Sequence, residues 1–163
     1  MIERTLVLIK PDGIERGLVG EIIKRFENVG MKIVGIKMMW IDKNFAKKHY
    51  TEDIEKRRGK KVREMLMEYI TAGPVIAMVV EGIHAVELVR KLVGNTESRS
   101  ALPGTIRGDF SHHSYTYADK KGVAIKNIVH ASGSLKEAKE EIKLWFSINE
   151  LHNYKTVYEK HVF

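Results

Sequence analysis

The chain has no cysteine and no glutamine, and only three prolines. Without cysteine there is no disulfide framework and no thiolate chemistry. No apolar run is long enough to span a bilayer. The first residues, Met1-Ile2-Glu3-Arg4, lead straight into a strand-like segment, so no signal peptide is expected. These absences favour a cytoplasmic protein. Internal repeats, linkers and low-complexity stretches are also lacking. No G-x-x-x-x-G-K-[ST] occurs, which excludes a P-loop phosphate cradle. No aromatic-rich strand of the RNA-recognition type occurs either, which argues against a dedicated nucleic-acid module.

What is present is an ordinary globular balance, with 44% hydrophobic and 30% charged residues. A length of 163 residues fits one domain, 1–163, with a sizeable core. The formal net charge of +7 suits polyanionic partners such as nucleotides, with nucleic acid as a secondary partner. A solvated lysine-rich surface explains much of the same excess. Missing glutamine and abundant charge hint at a high-temperature source.

Apolar patterning sets the expected elements. Thr5 to Ile9 and Val75 to Val80 are continuous apolar runs that read as strands buried on both faces, and Met31 to Ile41 reads as another strand. Pro11 is expected to end the first, with Asp12-Gly13 as a turn that brings Lys10 to the strand edge. Val19 to Val29, Asn44 to Tyr50, Val62 to Ile70 and Ala85 to Val93 carry helical spacing. Thr51 to Lys61 reads as loop and helix start. Gly94 to Phe110 reads as a long loop. Ser111 to Lys126, with Tyr115 and Tyr117 alternating and a turn-like Asp119-Lys120-Lys121-Gly122, suggests a hairpin. The tail from Leu151 to Phe163 has no clear period and is expected to lie against the domain or a neighbour. The order β-α-β-α-α-β-α-β-α predicts a ferredoxin-like βαββαβ α+β sandwich, an antiparallel sheet with helices on one side.

Two stretches stand out for chemistry. Ile128 and Val129 read as the end of a short strand, with His130 where it stops and small residues Ala131 to Gly133 after it. Ser134-Leu135-Lys136-Glu137 is a capping box that opens a helix running to about Phe146. An imidazole would thus stand beside a helix N-terminus, which favours anions. Arg107 lies in the glycine-bounded stretch Gly104-Thr105-Ile106-Arg107-Gly108-Asp109-Phe110, available to a phosphate. Read locally, the pattern fits equally well a partly exposed histidine in a plain strand–helix turn.

The stretch Asn127-Ile128-Val129-His130-Ala131-Ser132 resembles the phosphohistidine signature of nucleoside diphosphate kinases. Similar blocks run nearly the whole chain: Arg4 to Gly13, Arg16 to Phe26, His49-Tyr50, Gly73-Pro74-Val75 and Leu144-Trp145-Phe146. The resemblance implies γ-phosphate transfer from a nucleoside triphosphate to a nucleoside diphosphate, through phosphorylated His130 and with ping-pong kinetics. It implies that Lys10, Arg90, Thr96 and Arg107 bind phosphates, that Tyr50 lines the site and that Asn127 contacts the ribose. It makes Glu141, rather than Glu140, the holder of the imidazole. Ser132 could donate a hydrogen bond to an attacking or leaving oxygen. Mg2+ would arrive on the nucleotide, because no carboxylate cage surrounds His130 in the sequence. The family assembles as closed homo-oligomers, so a homohexamer is expected.

One departure concerns the base. The family stacks it on a phenylalanine, and the matching position here is Val62. No aromatic residue occurs from Thr51 to Glu68. Either base contact is weaker here, or Tyr115 or Tyr117 of the extra stretch supplies a substitute ring; the first is expected, improved by Val62→Phe, because a hairpin tip more often points away from its anchor.

Overall fold

The computed structural model describes residues 1–157 and 159–162. Its sheet contains four strands: β1 (Ile2–Ile9), β2 (Lys32–Met39), β3 (Val75–Ile83) and β4 (Val129–Ala131). Their order is β2-β3-β1-β4, and all three pairings are antiparallel. This is the expected ferredoxin-like α+β arrangement.

The continuous apolar runs in β1 and β3 follow from burial on both faces. Val7 and Ile9, with Ile76, Met78 and Val80, face one core; Leu6 and Leu8, with Val75, Ala77 and Val79, face another. Helices α2 (Val19–Glu27) and α6 (Ala85–Val93) supply Ile22, Phe26, Val89 and Val93 to the first core. The second is closed by α3 (Lys43–His49), α5 (Lys60–Thr71) and α9 (Leu135–Trp145), through Ala46, Ile70 and Trp145. The helices therefore cover both sides of the sheet, not one. The two alternating side-chain sets of β1 and β3 are both apolar, so each side needs a cover.

Several short elements depart from expectation. β1 ends just before Pro11, as expected, but Asp12-Gly13 is not a turn: Pro11 starts a helix, α1 (Pro11–Glu15), where its missing N–H costs nothing. Thr51 to Lys61 contains α4 (Glu52–Arg58), which buries no residue; Gly59, at φ 88°, separates it from α5. The long loop holds a 3-10 turn, Ser98–Ser100, and α7 (Ile106–Phe110), so Arg107 sits on a helix. The Thr105 hydroxyl accepts from the Gly108 amide at 3.1 Å, and a β-carbon on Gly108 would collide with the Leu102 carbonyl.

The stretch read as a hairpin is helix α8 (Tyr115–Lys121). Ser114 caps its start by accepting from the Tyr117 amide, and Gly122 ends it in the left-handed conformation. Ala118 is its buried side chain.

Beyond α9 the tail runs along β2. The His152 amide donates to the Val34 carbonyl at 2.7 Å, and the Tyr154 hydroxyl donates to the Ile33 carbonyl at 2.9 Å. A last turn of helix, α10 (Glu159–Val162), brings Val162 against Gly30. Tyr158 and Phe163, also part of the expected tail, lie outside the described residues.

Candidate active site

His130 is in the middle of β4, opposite Leu8 of β1, rather than at the strand's end. The strand starts late because Ile128 lies in the left-handed region, at φ 60°. That conformation is unfavourable for a β-branched residue. Both polar groups of its backbone are held: the Lys10 amide donates to the Ile128 carbonyl at 2.8 Å, and the Ile128 amide donates to Asp12 Oδ2 at 3.2 Å. Asp12 is fixed in turn by the Tyr69 hydroxyl, which donates to Oδ1 at 2.5 Å. The first turn of α1 thereby sets where β4 begins.

His130 is half-buried, and its Nε2 lies 2.9 Å from Glu141 Oε1. The other carboxylate oxygen of Glu141 accepts the Ser132 hydroxyl at 2.6 Å. Burial opposes the Glu141 charge. The His130 and His49 rings and the two hydrogen bonds outweigh it and hold the carboxyl at about 2. An ionised carboxylate only accepts, so Nε2 of His130 is the protonated nitrogen and Nδ1 is the one left to attack. Glu140 makes no such contact among the described residues. Ser132 is fully buried and does not face the cavity: its hydroxyl donates to Glu141 and accepts from the Leu6 amide at 3.3 Å, which holds the side chain in the core. The capping box is only half formed. Ser134 accepts from the Glu137 amide, but Glu137 accepts from Gly133 instead of from Ser134.

His49 packs edge-on against His130, with ring centroids 4.7 Å apart. Its Nδ1 accepts from Trp145 Nε1 at 3.3 Å. Burial, then the neighbouring His130, pushes His49 down to about 3, so it stays neutral.

In front of His130 opens a cavity whose wall carries Lys10, Arg57, Arg58, Arg90 and Arg107, with no carboxylate among the described lining residues. Lys10 is buried and donates to Asn127 Oδ1 at 2.7 Å. Burial, then the Arg107 charge, lowers Lys10 to about 7. Arg107 is buried as well, and donates to the carbonyls of Asn127, Gly94 and Val129 at 3.3, 2.9 and 2.8 Å. A guanidinium has five N–H donors, so roughly two remain for a ligand. Burial, then Arg90, brings Arg107 down to about 10. Asn127 also donates to the Thr96 carbonyl at 2.8 Å, which ties the far rim to β4. Tyr50 is buried beside these groups with a hydroxyl that has no partner among the described residues; burial raises it well above the usual phenol range, and Glu141 adds to this.

The structure thus gathers Lys10, Tyr50, Arg90, Thr96, Arg107, Asn127 and His130 on one cavity wall. Val62 is not on that wall. Leu66, one turn further along α5, lines it instead, with Ile54 of α4. Nothing in the sequence singles out Arg57 and Arg58, which sit in the charged run Glu55 to Arg58. The absence of aromatic residues there was the one signal that something else builds that wall.

The sequence profile of the nucleoside diphosphate kinase family matches residues 3–151. The chain belongs to the nucleoside diphosphate kinase family. With that family it is a phosphotransferase. A nucleoside diphosphate kinase of Borreliella burgdorferi is 48% identical over 156 residues, 95% of this chain and 93% of its own length. That of Pyrococcus furiosus is 52% identical over 94% of this chain and 88% of its own. Among solved structures, a transition-state mimic of the Borrelia burgdorferi kinase with bound vanadate and ADP superposes with a TM-score of 0.97 at 47% identity, covering 99% of this chain and 96% of that one. A halophilic kinase from Halobacterium salinarum in complex with CDP gives 0.84 at 38% identity, over 100% and 99% of the two chains.

Proposed function

We propose that this nucleoside diphosphate kinase works through a phosphohistidine at His130, formed on Nδ1. The observation that carries this is the His130–Glu141 pair facing a cavity lined by five cationic side chains. A nucleoside triphosphate enters with its phosphates among Lys10, Arg90 and Arg107. Nδ1 attacks the γ-phosphorus; the Nδ1–P bond forms as the bond to the β,γ-bridging oxygen breaks, and the nucleoside diphosphate leaves. Nε2 keeps its proton. The positive charge that develops on the ring is met by Glu141, already ionised and oriented by Ser132. A second nucleoside diphosphate then attacks phosphorus with its terminal oxygen, and the N–P bond breaks. The chain's contribution is positioning and charge stabilisation, as phosphoryl transfer requires. ADP bound by the Borrelia relative and CDP bound by the Halobacterium relative support nucleotides of both base types as substrates.

The residues do not fit a protein-held Mg2+. No carboxylate lines this cavity among the described residues; Asp53, Glu137, Glu140 and Glu141 line an adjoining one that also touches His130, but the metal-competent group there, His49, His130 and Glu141, offers two imidazoles where Mg2+ takes oxygens. Mg2+ would come as part of the nucleotide substrate.

Self-association is supported by the edge strand β2 and the segment after it, which expose Ile36, Met38 and Trp40 at 50, 58 and 71%. A homohexamer is the assembly we favour, and a monomer by light scattering would exclude it. No described helix is long and apolar enough to cross a membrane. A cytoplasmic location is the reading we favour. A nucleic-acid role of the open-sheet kind has little support, because helices cover both faces. The site reading is tested by His130→Ala, which should abolish transfer while ADP still binds. Turnover of that variant well above background would refute it.

A further inference from the structure

Among the described residues, no aromatic side chain from α4 or α5 lines the cavity. α4 and α5 contribute Ile54, Arg57, Arg58 and Leu66 there, and Val62 does not reach it. Arg58 is the last residue of α4, directly before the glycine that breaks the helix. As an exposed side chain on a helix with no buried residue, it would ordinarily sample many rotamers. It does not hang free. Its Nη1 reaches the Tyr115 hydroxyl at 3.4 Å, and its guanidinium carbon stands 5.8 Å from the centre of the Tyr115 ring.

Tyr115 itself is anchored. It opens α8, and its amide donates to Glu97 Oε1 at 3.0 Å, on the rim next to Thr96. The ring is half-buried and is not part of the cavity lining. Tyr117 of the same helix points elsewhere, packing edge-on to His113. So helix α8 offers one ring to the mouth of the cavity, and that ring meets Arg58 rather than open space.

A guanidinium is planar and stacks on aromatic faces, which an ammonium cannot do. We propose that Arg58, oriented by Tyr115, is the base-contacting wall of the nucleotide site: a guanidinium platform on which the nucleobase stacks in place of an aromatic ring. Arg58 touches the base and Tyr115 positions it. This rests on the phosphates lying at His130, as argued above, because only then does the base fall at the α4 side of the mouth. It also replaces the sequence expectation that Tyr115 points away and leaves nucleotide binding unaffected.

The test compares binding of ADP and of ribose 5-diphosphate, which has the phosphates and sugar but no base, by calorimetry. Calorimetric binding does not require transfer at His130, so failure of the catalytic reading would not disturb it. Arg58→Ala and Arg58→Lys should each weaken ADP about fivefold or more, the lower range for one base stack, and ribose 5-diphosphate much less. Tyr115→Ala should do the same, Tyr115→Phe should retain most of the affinity, and the Arg58→Ala/Tyr115→Ala double variant should be no weaker than either single one. If Arg58→Lys binds ADP as the wild type does, or if Arg58→Ala weakens both ligands equally, Arg58 acts as a charge on the phosphates and the platform is wrong. If Tyr115→Ala leaves the ratio of the two affinities unchanged, Tyr115 positions nothing.

Discussion

Replacing Glu141 by glutamine changes one oxygen to an NH2 group in a place where two donors converge. His130 Nε2 and the Ser132 hydroxyl approach the two carboxylate oxygens at 2.9 and 2.6 Å. An amide can accept from only one side, so either the imidazole loses its acceptor or the serine faces a second donor. The charge that balances the ring during transfer is lost in both cases. A hydrogen bond to a charged group is worth about 1.5–3 kcal/mol, which corresponds to roughly ten- to hundredfold in rate. Phosphorylation of the enzyme by labelled ATP in a quenched-flow instrument should slow by that factor. ADP affinity should change much less, because both carboxylate oxygens of Glu141 are already taken by His130 and Ser132. A phosphorylation rate within twofold of wild type would refute the role given to Glu141. A comparable loss in ADP affinity would show that it acts on binding instead.

Asp12→Ala leaves the Tyr69 hydroxyl and the Ile128 amide without acceptors in a buried place. At about 1–3 kcal/mol for each orphaned group, and about 2–4 °C per kcal/mol for a chain of this size, the melting temperature should fall by roughly 4–24 °C; a change under 2 °C would count against Asp12 as the clamp on Ile128. Lys10, brought down to about 7 by burial and Arg107, is half neutral near pH 7 and should take up a proton when a polyphosphate arrives. The binding heat of ADP at pH 8 should therefore depend on the buffer's ionisation enthalpy, and Lys10→Met should lose that dependence; equal uptake in both proteins would place the proton elsewhere. The same shift has a sign for stability. Between about pH 7 and 10.5 the unfolded chain holds the Lys10 proton and the folded one does not, so this group makes stability rise with pH across that window and adds no dependence below it.

Much of this was legible in the residues, and the exceptions share a cause. The runs Thr5 to Ile9 and Val75 to Val80 announce strands covered on both faces because no polar alternation interrupts them. The same runs already imply the second helical layer, which counting helices on one side of the sheet overlooks. His130 and Glu141 are visible as a motif and a spacing. The role of Ser132 is not, since only the pairing of β4 with β1 shows that its hydroxyl turns inward to Glu141. α8 was misread because Tyr115 and Tyr117 alternate like a strand, while the helix is declared by its ends, Ser114 and Gly122, with a single buried alanine between them. α1 and α4 are too short, and α4 too polar, to carry an apolar stripe. Arg58 is invisible for the same reason: one charge in a charged run becomes significant only when Tyr115, 57 residues away in sequence, meets it.

The mechanism turns on a single atom, the ring nitrogen that carries the phosphate. Glu141 holds Nε2 of His130, so the proposed mechanism puts the phosphate on Nδ1. Phosphorylating the protein with ATP, trapping it at alkaline pH and recording nitrogen–phosphorus correlated NMR spectra of the ring distinguishes the two positions directly. The expected result is one acid-labile, base-stable phosphate on Nδ1 of His130, discharged by added nucleoside diphosphate. Phosphate on Nε2, or stable phosphate on another residue that nucleoside diphosphates do not remove, would contradict the geometry on which the mechanism stands.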